Sequence, residues 1–276
     1  MKLIIDIGGT RGRWYVVDKS IVSSFETEGF NPFTSDISVL RKILGDLKNS
    51  FDFSSIKTIY YYGAGIISEN KTIEVKNLLH TFFVKSIIEL NSDLLGSCRA
   101  LCSNNEGVVC ILGTGSNSCY YDGKEIVYKI NSLGHLLGDE GSGYDMGKKF
   151  LIKYLRDELI EDIKIHFSKE FDVSKNILER LYISNNREKL IASISKFVSV
   201  NKENDFVHAF IDDHFNKYFD KIILKYACKN VYMTGSVAYH FKNEIEKIAK
   251  EKGYTINKIV KDPIKQLCDF HIKNGI

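Results

Sequence analysis

The sequence predicts an α/β protein built from two similar domains, on three observations. An apolar run (residues 3–7) enters a glycine turn, Gly8-Gly9-Thr10, and leaves as a strand-forming run at residues 13–18. The same theme recurs about a hundred residues later: residues 108–112, the turn Gly113-Thr114-Gly115-Ser116, and the aromatic run 119–122. Strand-like runs alternate with helical spacing elsewhere, and 276 residues suffice for two domains with cores of their own.

Taken in order, residues 3–18 form a hairpin around its glycine turn. Ile37, Leu40, Leu44 and Leu47 have helical spacing, and residues 56–62 read as a strand stopped by Gly63-Ala64-Gly65. A helix over 72–83 and a strand over 84–90 follow. From Leu94 the apolar positions 94, 95, 98, 101 and 102 mark one face of a helix whose first turn holds Asn91, Ser92 and Asp93. The domain boundary is expected at 104–107. Beyond Ser142 the pattern is helical to about Lys229, with Met146, Phe150, Tyr154 and Leu155 on one face and further helices at 190–198 and 206–226. The charged faces here, such as 156–164, read as solvated surface. A short strand at 231–233 runs into a third glycine turn, Thr234-Gly235-Ser236-Val237, and a helix to Lys250. Residues 254–260 alternate like a strand, and Pro263 opens a terminal helix. The expected domains are 1–106, with the helix 263–276 packing back on it, and 107–262, which carries the helical insertion.

Composition narrows the function. With 44% hydrophobic and 26% charged residues the chain is not intrinsically disordered. Its net charge of +3 is interleaved rather than blocked, which argues against a nucleic-acid partner. No run approaches the ~20 apolar residues of a membrane span, and Asp6 ends the opening apolar stretch, so neither a membrane protein nor a secretion signal is expected. A cytosolic location follows as an expectation. The six cysteines (98, 102, 110, 119, 228 and 268) lack zinc spacing and read as reduced packing residues.

A glycine turn after a strand lets backbone N–H groups approach an anion with no Cβ in the way, and three such turns imply a polyphosphate. Singly, each turn is equally well a hairpin without a ligand. The dinucleotide fingerprint fails, because strand residues rather than a helix follow Gly113, and no Walker lysine is present. Asp6, just ahead of the first glycines, can hold Mg2+ at the edge of the phosphates. The run from Gly134 to Gly143 contains Asp139 and Glu140. It reads either as a capped helix entry with Ser142 as N-cap or as a carboxylate loop for a polyhydroxylated ligand, with His135 structural.

Together, Asp6-Ile7-Gly8-Gly9-Thr10, Gly113-Thr114-Gly115-Ser116-Asn117, Gly134-His135 with Gly138-Asp139-Glu140-Gly141-Ser142, and Thr234-Gly235-Ser236-Val237 resemble the N-acetylglucosamine kinases. These form a branch of the actin/hexokinase/Hsp70 superfamily shared with the activating ATPases of benzoyl-CoA reductase. The motifs keep the family's order over nearly the whole chain. The resemblance implies two ribonuclease H-like, actin/hexokinase-type domains around a central cleft, with ATP and Mg2+ as cofactors. It also implies an amino sugar phosphorylated on its 6-hydroxyl, and a homodimer is an open expectation. Asp6, Gly8, Gly9 and Thr10 would form one phosphate loop, and Gly113, Thr114 and Gly115 the other. Gly235 and Ser236 would form the adenosine turn, and Asp6 would be the metal ligand. Asn31, Ser116, Asn117, Gly134 and Asp139 would meet the sugar. Asp93 would be the catalytic base, a weak one because it opens a helix; its competing reading is a helix-capping acid. Leu133 stands where eukaryotic relatives carry Trp. An ATP-driven activator of the reductase-activating type, with a cluster held by cysteines, is the alternative, and a sugar sensor without turnover a weaker third.

Overall fold

The computed structural model describes residues 1–66, 68–171, 177–184 and 187–274. The end of the expected terminal helix (275–276) and the helical pattern across 172–176 and 185–186 lie outside the described residues. The chain divides into two compact units: Met1–Val109 with Tyr121–Val127 and Asp262–Ile276, and Cys110–Tyr120 with Tyr128–Lys261. The first change of unit falls inside a strand, not in the 104–107 turn.

The elements run β1 (Lys2–Ile7), β2 (Arg11–Val17), β3 (Ile21–Glu28), α1 (Ile37–Ser50), β4 (Thr58–Gly63), α2 (Glu69–Phe82), β5 (Ile87–Ser92) and α3 (Asp93–Cys102). Then come β6 (Gly107–Leu112), β7 (Ser116–Tyr121), β8 (Ile126–Ile130), α4 (Gly134–Leu137), α5 (Gly143–Leu155), α6 (Glu161–Phe171), α7 (Ile177–Ile183), α8 (Arg187–Val200) and α9 (Asp205–Lys221). The chain ends with β9 (Asn230–Thr234), α10 (Ser236–His240), α11 (Lys242–Glu251), β10 (Thr255–Val260) and α12 (Ile264–Lys273). The single helix expected through Lys250 is thus two, parted at Phe241.

One sheet has the order β3-β2-β1-β4-β5 and the other β10-β9-β6-β7-β8. Numbered within its own repeat, each reads third-second-first-fourth-fifth, so the duplication of the glycine turns extends to the whole sheet. In the first, β1 pairs antiparallel with β2 and parallel with β4, which pairs parallel with β5.

Strand alternation decides which face each side chain takes. Leu3, Ile5 and Ile7 of β1 join Trp14, Val16 and Tyr61 in the larger core, together with Leu40, Ile43 and Leu44 of α1 and Val75, Leu78 and Leu79 of α2. Ile4 faces the other way, with Val17, Tyr60 and Tyr62, into a core closed by Ala100 of α3 and Ile264, Leu267 and Cys268 of α12. By the same alternation Asp6 and its cross-strand partner Arg13 lie on the α3/α12 face, beyond the end of the apolar packing.

In the second unit, α5 packs on α8 through small residues. A Cβ on Gly147 would collide with the backbone carbonyl of Ile191, and one on Gly143 would come within 3.1–3.3 Å of Ser195 Oγ and of the carbonyls of Gly113 and Ala192. Five of the six cysteines are buried, Cys228 being half-exposed, in line with a packing role. Among the described residues no helix is long and apolar enough to cross a membrane.

Candidate active site

In the first unit the candidate residues gather where β1 and β5 end. The register pairs Ile7 with Gly63 and Gly63 with Ser92, so Asp6, the turn after β1 and Asp93 share one edge of the sheet. The turn is closed by the Gly8 N–H donating to the Arg11 carbonyl at 2.9 Å. It is buttressed by Gly29-Phe30: Phe30 N–H donates to the Gly8 carbonyl at 3.0 Å, and a Cβ on Gly29 would strike the backbone of residues 8–10. Gly9 itself projects into open space, and the nearest atom to a Cβ on Gly8 is 4.0 Å away. Neither crowding nor a positive φ requires glycine at these two positions.

Asp6 is 16% exposed and stands 3.9 Å from Arg13 Nη1, and Arg13 Nε also pairs with Asp262. Burial pushes the Asp6 carboxyl up to about 7; the Arg13 cation opposes this, while Asp262 and Asp93 add to it. Ser92 caps α3 by accepting the Leu95 N–H at 3.2 Å. Asp93 is the first helical residue, and its Oδ1 accepts the Leu94 N–H at 2.8 Å. The expectation of a weak base is corrected here: desolvation outweighs the helix N–H groups and raises the Asp93 carboxyl above its ordinary value. Asn31 is half-buried beside Gly65. Its Oδ1 is committed to the Phe33 N–H at 3.0 Å, which leaves its amide nitrogen for another partner.

In the second unit, the loop after β6 is held from below. Gly113 N–H donates to the Gly115 carbonyl at 3.0 Å, Gly143 N–H to the Gly113 carbonyl at 2.8 Å, and Tyr144 N–H to the Thr114 carbonyl at 3.0 Å. Ser142 caps α5 through the Asp145 N–H at 3.1 Å, as the capped-entry reading has it, and Gly138, Gly141 and Gly143 each meet a neighbour where a Cβ would project. Gly113 projects into open space. Gly235, at φ 113°, seats against the Leu112 carbonyl and Gly113, which joins the third glycine turn to the second, and Ser236 begins α10 exposed.

Asp139 adopts a left-handed φ of 58°, costly for a residue with a Cβ. Its carboxylate accepts the Ser132 hydroxyl at 3.3 Å, and burial raises its pKa above the ordinary value, opposed by the nearby Ser116 N–H and the Ser132 hydroxyl. Ser132 Oγ also donates to the Ser116 carbonyl at 3.0 Å. Asn117 turns its amide oxygen back onto the Ser118 N–H at 3.0 Å. Gly134, at φ 67°, opens the short α4. His135 Nε2 lies 3.4 Å from Glu188 and its ring is edge-on to Tyr144, a structural role.

The candidates therefore fall into two sets: Asp6, Gly8, Gly9, Thr10, Asn31 and Asp93 in the first unit, and Gly113, Thr114, Gly115, Ser116, Asn117, Gly134, Asp139, Gly235 and Ser236 in the second. The sequence reading missed Arg13. A three-residue turn between β1 and β2 places residue 13 opposite residue 6, which a cross-strand charge count would have found. Among the described residues no group of three or more His, Cys, Asp or Glu side chains is arranged to hold a metal. A Mg2+ site of one carboxylate completed by phosphate oxygens and water is within what this cation accepts, and Asp6 fits that part.

Two five-stranded sheets of matching order, each with a glycine turn after its first strand, define the class: a two-domain α/β protein of the sugar-kinase, actin-like fold. No protein-family model matches the chain. The crystal structure of a candidate N-acetylglucosamine kinase from Porphyromonas gingivalis superposes with a TM-score of 0.93 at 31% identity, over 100% of both chains. An N-acetylmuramic acid/N-acetylglucosamine kinase from Clostridium acetobutylicum is 29% identical over 164 residues, 56% of this chain; the match spans about half of that protein, 52%. A glucokinase of the ROK family from Streptomyces griseus, crystallised with glucose and AMPPNP, shares the fold alone, with a TM-score of 0.61 at 11% identity over 99% of this chain and 98% of that one. The chain belongs to the N-acetylglucosamine kinase family, as the motifs led us to expect.

Proposed function

We propose that the protein transfers the γ-phosphoryl group of ATP to the 6-hydroxyl of N-acetylglucosamine or a close amino sugar. The observation that carries this reading is the likeness to the P. gingivalis protein over the full length of both chains, joined to a half-buried carboxyl of raised pKa at the helix start where the family's base would stand. The glycines at 8, 9 and 113, open where a Cβ would project, favour loops shaped for a ligand rather than for internal packing.

On this reading Asp93 accepts the proton of the sugar hydroxyl as that oxygen bonds to the γ-phosphorus and the bond to the β,γ-bridging oxygen breaks, releasing ADP. Phosphoryl transfer has a loose transition state in which the proton leaves late, so positioning matters more than basicity, and a carboxyl raised by burial meets both needs. Asp6 would hold Mg2+, which when bound neutralises charge on the phosphates. The turns at 8–10 and 113–115 would hold phosphate oxygens through backbone N–H groups, and Gly235-Ser236 the adenosine. Asn31, Ser116, Asn117, Gly134 and Asp139 would meet the sugar. The carboxylate of Asp139, held by the Ser132 hydroxyl, suits a sugar hydroxyl. The activator alternative is disfavoured because Cys98 and Cys102 are both buried within the first unit.

Purified protein with Mg2+, ATP and a panel of amino sugars tests the reading. ADP release should rise by about tenfold or more with the preferred sugar, as expected when substrate completes the site. Release that no sugar stimulates contradicts it.

A further inference from the structure

Arg13 is used by neither the motifs nor the mechanism above. It is the cross-strand partner of Asp6, on the face of the sheet where α3 begins with Asp93 and α12 begins after Asp262. Its Nε pairs with Asp262 and its Nη1 stands 3.9 Å from Asp6, beyond hydrogen-bonding distance. A guanidinium carries five N–H donors in a fixed fork. Among the described residues these two carboxylates are its ion-pair partners, so much of the fork is unspent although the side chain is only 18% exposed.

The charges around it matter as much. Asp262 and Asp93 both act on Asp6 here, and Arg13 is the cation that opposes them. Two carboxylates beside one guanidinium, with Asp93 adding negative charge at Asp6, make a site that repels a polyanion unless a cation is turned toward it. A planar fork that can exchange a carboxylate for a phosphoryl oxygen without losing hydrogen bonds answers that need.

We infer that Arg13 is a binding residue for the terminal phosphoryl group of the nucleotide, held on Asp262 until that group arrives. This rests on the kinase reading above. A cross-strand counter-ion with a purely structural role would be indifferent to which nucleotide is bound. A γ-phosphoryl ligand would not be, because ADP lacks the group it contacts.

Calorimetric titration of the full chain with AMPPNP and with ADP, each with Mg2+, separates the two. Arg13→Gln should weaken AMPPNP by about tenfold or more, the loss expected for a hydrogen bond to a charged group, while ADP stays within about twofold. Arg13→Lys should recover part of the AMPPNP affinity. Asp262→Asn, which removes the competing carboxylate, should tighten AMPPNP and leave ADP unchanged. Equal loss for both nucleotides, or loss for neither, overturns the role of Arg13 alone. Failure of the unsubstituted protein to bind either nucleotide overturns the kinase reading, and this inference with it. Thermal unfolding of each variant reports whether it is folded.

Discussion

The carboxylate of Asp139 lies 2.8 Å from the place a Cβ on Gly115 would occupy. The Ser132 hydroxyl, 3.3 Å from the same carboxylate and 3.0 Å from the Ser116 carbonyl, fastens the carboxylate loop to the turn after β6. Gly115→Ala should push Asp139 off this seat. The expected result is a KM for the sugar raised about ten- to hundredfold, the scale of a displacement near 1 Å, with a smaller loss of Mg2+·ADP affinity. Steady-state kinetics beside nucleotide titration check it; loss of ADP binding with an unchanged sugar KM would show that the contact serves the nucleotide instead.

Asp93→Asn should lower kcat by about 10²- to 10⁴-fold, the usual contribution of a general base. The same substitution should raise the melting temperature at neutral pH. Burial lifts the Asp93 carboxyl, so the folded protein favours its protonated form. That favourable contribution is complete below the ordinary carboxylate range and is lost as pH rises through the raised pKa. At neutral pH the native chain therefore carries the cost of desolvating this carboxyl, which Asn removes; near pH 4 the gap should close. Thermal unfolding at the two pH values, with kcat measured at neutral pH, tests both halves. Full activity in the variant would exclude Asp93 as the base.

Much of this site could be read from the sequence, because glycine turns, strand runs and helix caps are local. Ser142 caps its helix as its spacing suggests, and Asp93 opens α3. The edge strands β3 and β8 escaped notice because they are half-exposed and lack a full apolar stripe: Ser23, Ser24, Thr27 and Glu28 dilute one, and Tyr128-Lys129 the other. The pKa of Asp93 was misjudged for a different reason. A helix start is visible in the chain, whereas desolvation depends on what the fold packs around it. Asp262, far from Arg13 in sequence, could not have been paired with it beforehand.

Gly147→Ala should destabilise the second unit by about 2 kcal/mol or more, because the obstacle is a backbone carbonyl, that of Ile191, rather than a side chain free to rotate away. Denaturant unfolding measures the loss. A variant as stable as its parent would mean that α5 and α8 can separate without cost.

Acid should weaken the fold well above the carboxylate range. His214 is fully buried, and desolvation lowers its pKa to about 4. His271, buried against Tyr60 with its Nε2 2.8 Å from the Tyr62 hydroxyl, falls to about 3, also through desolvation. The unfolded chain takes up these protons near pH 6.5, before the folded one does. Stability is therefore complete above that pH and is lost as pH falls toward 4, by up to about 1.4 kcal/mol per pH unit for each histidine. Urea unfolding at pH 7, 6 and 5 should show this slope, and His214→Gln with His271→Gln should flatten it. An unchanged slope in the double variant would assign the acid sensitivity to other groups.

The most direct test of phosphoryl transfer to the sugar is phosphorus NMR of a reaction containing the protein, Mg2+, ATP and N-acetylglucosamine. A new phosphate ester coupled to the protons on carbon 6, growing in step with ADP, is the expected outcome. ADP that accumulates beside free inorganic phosphate, with no sugar ester formed, would contradict it.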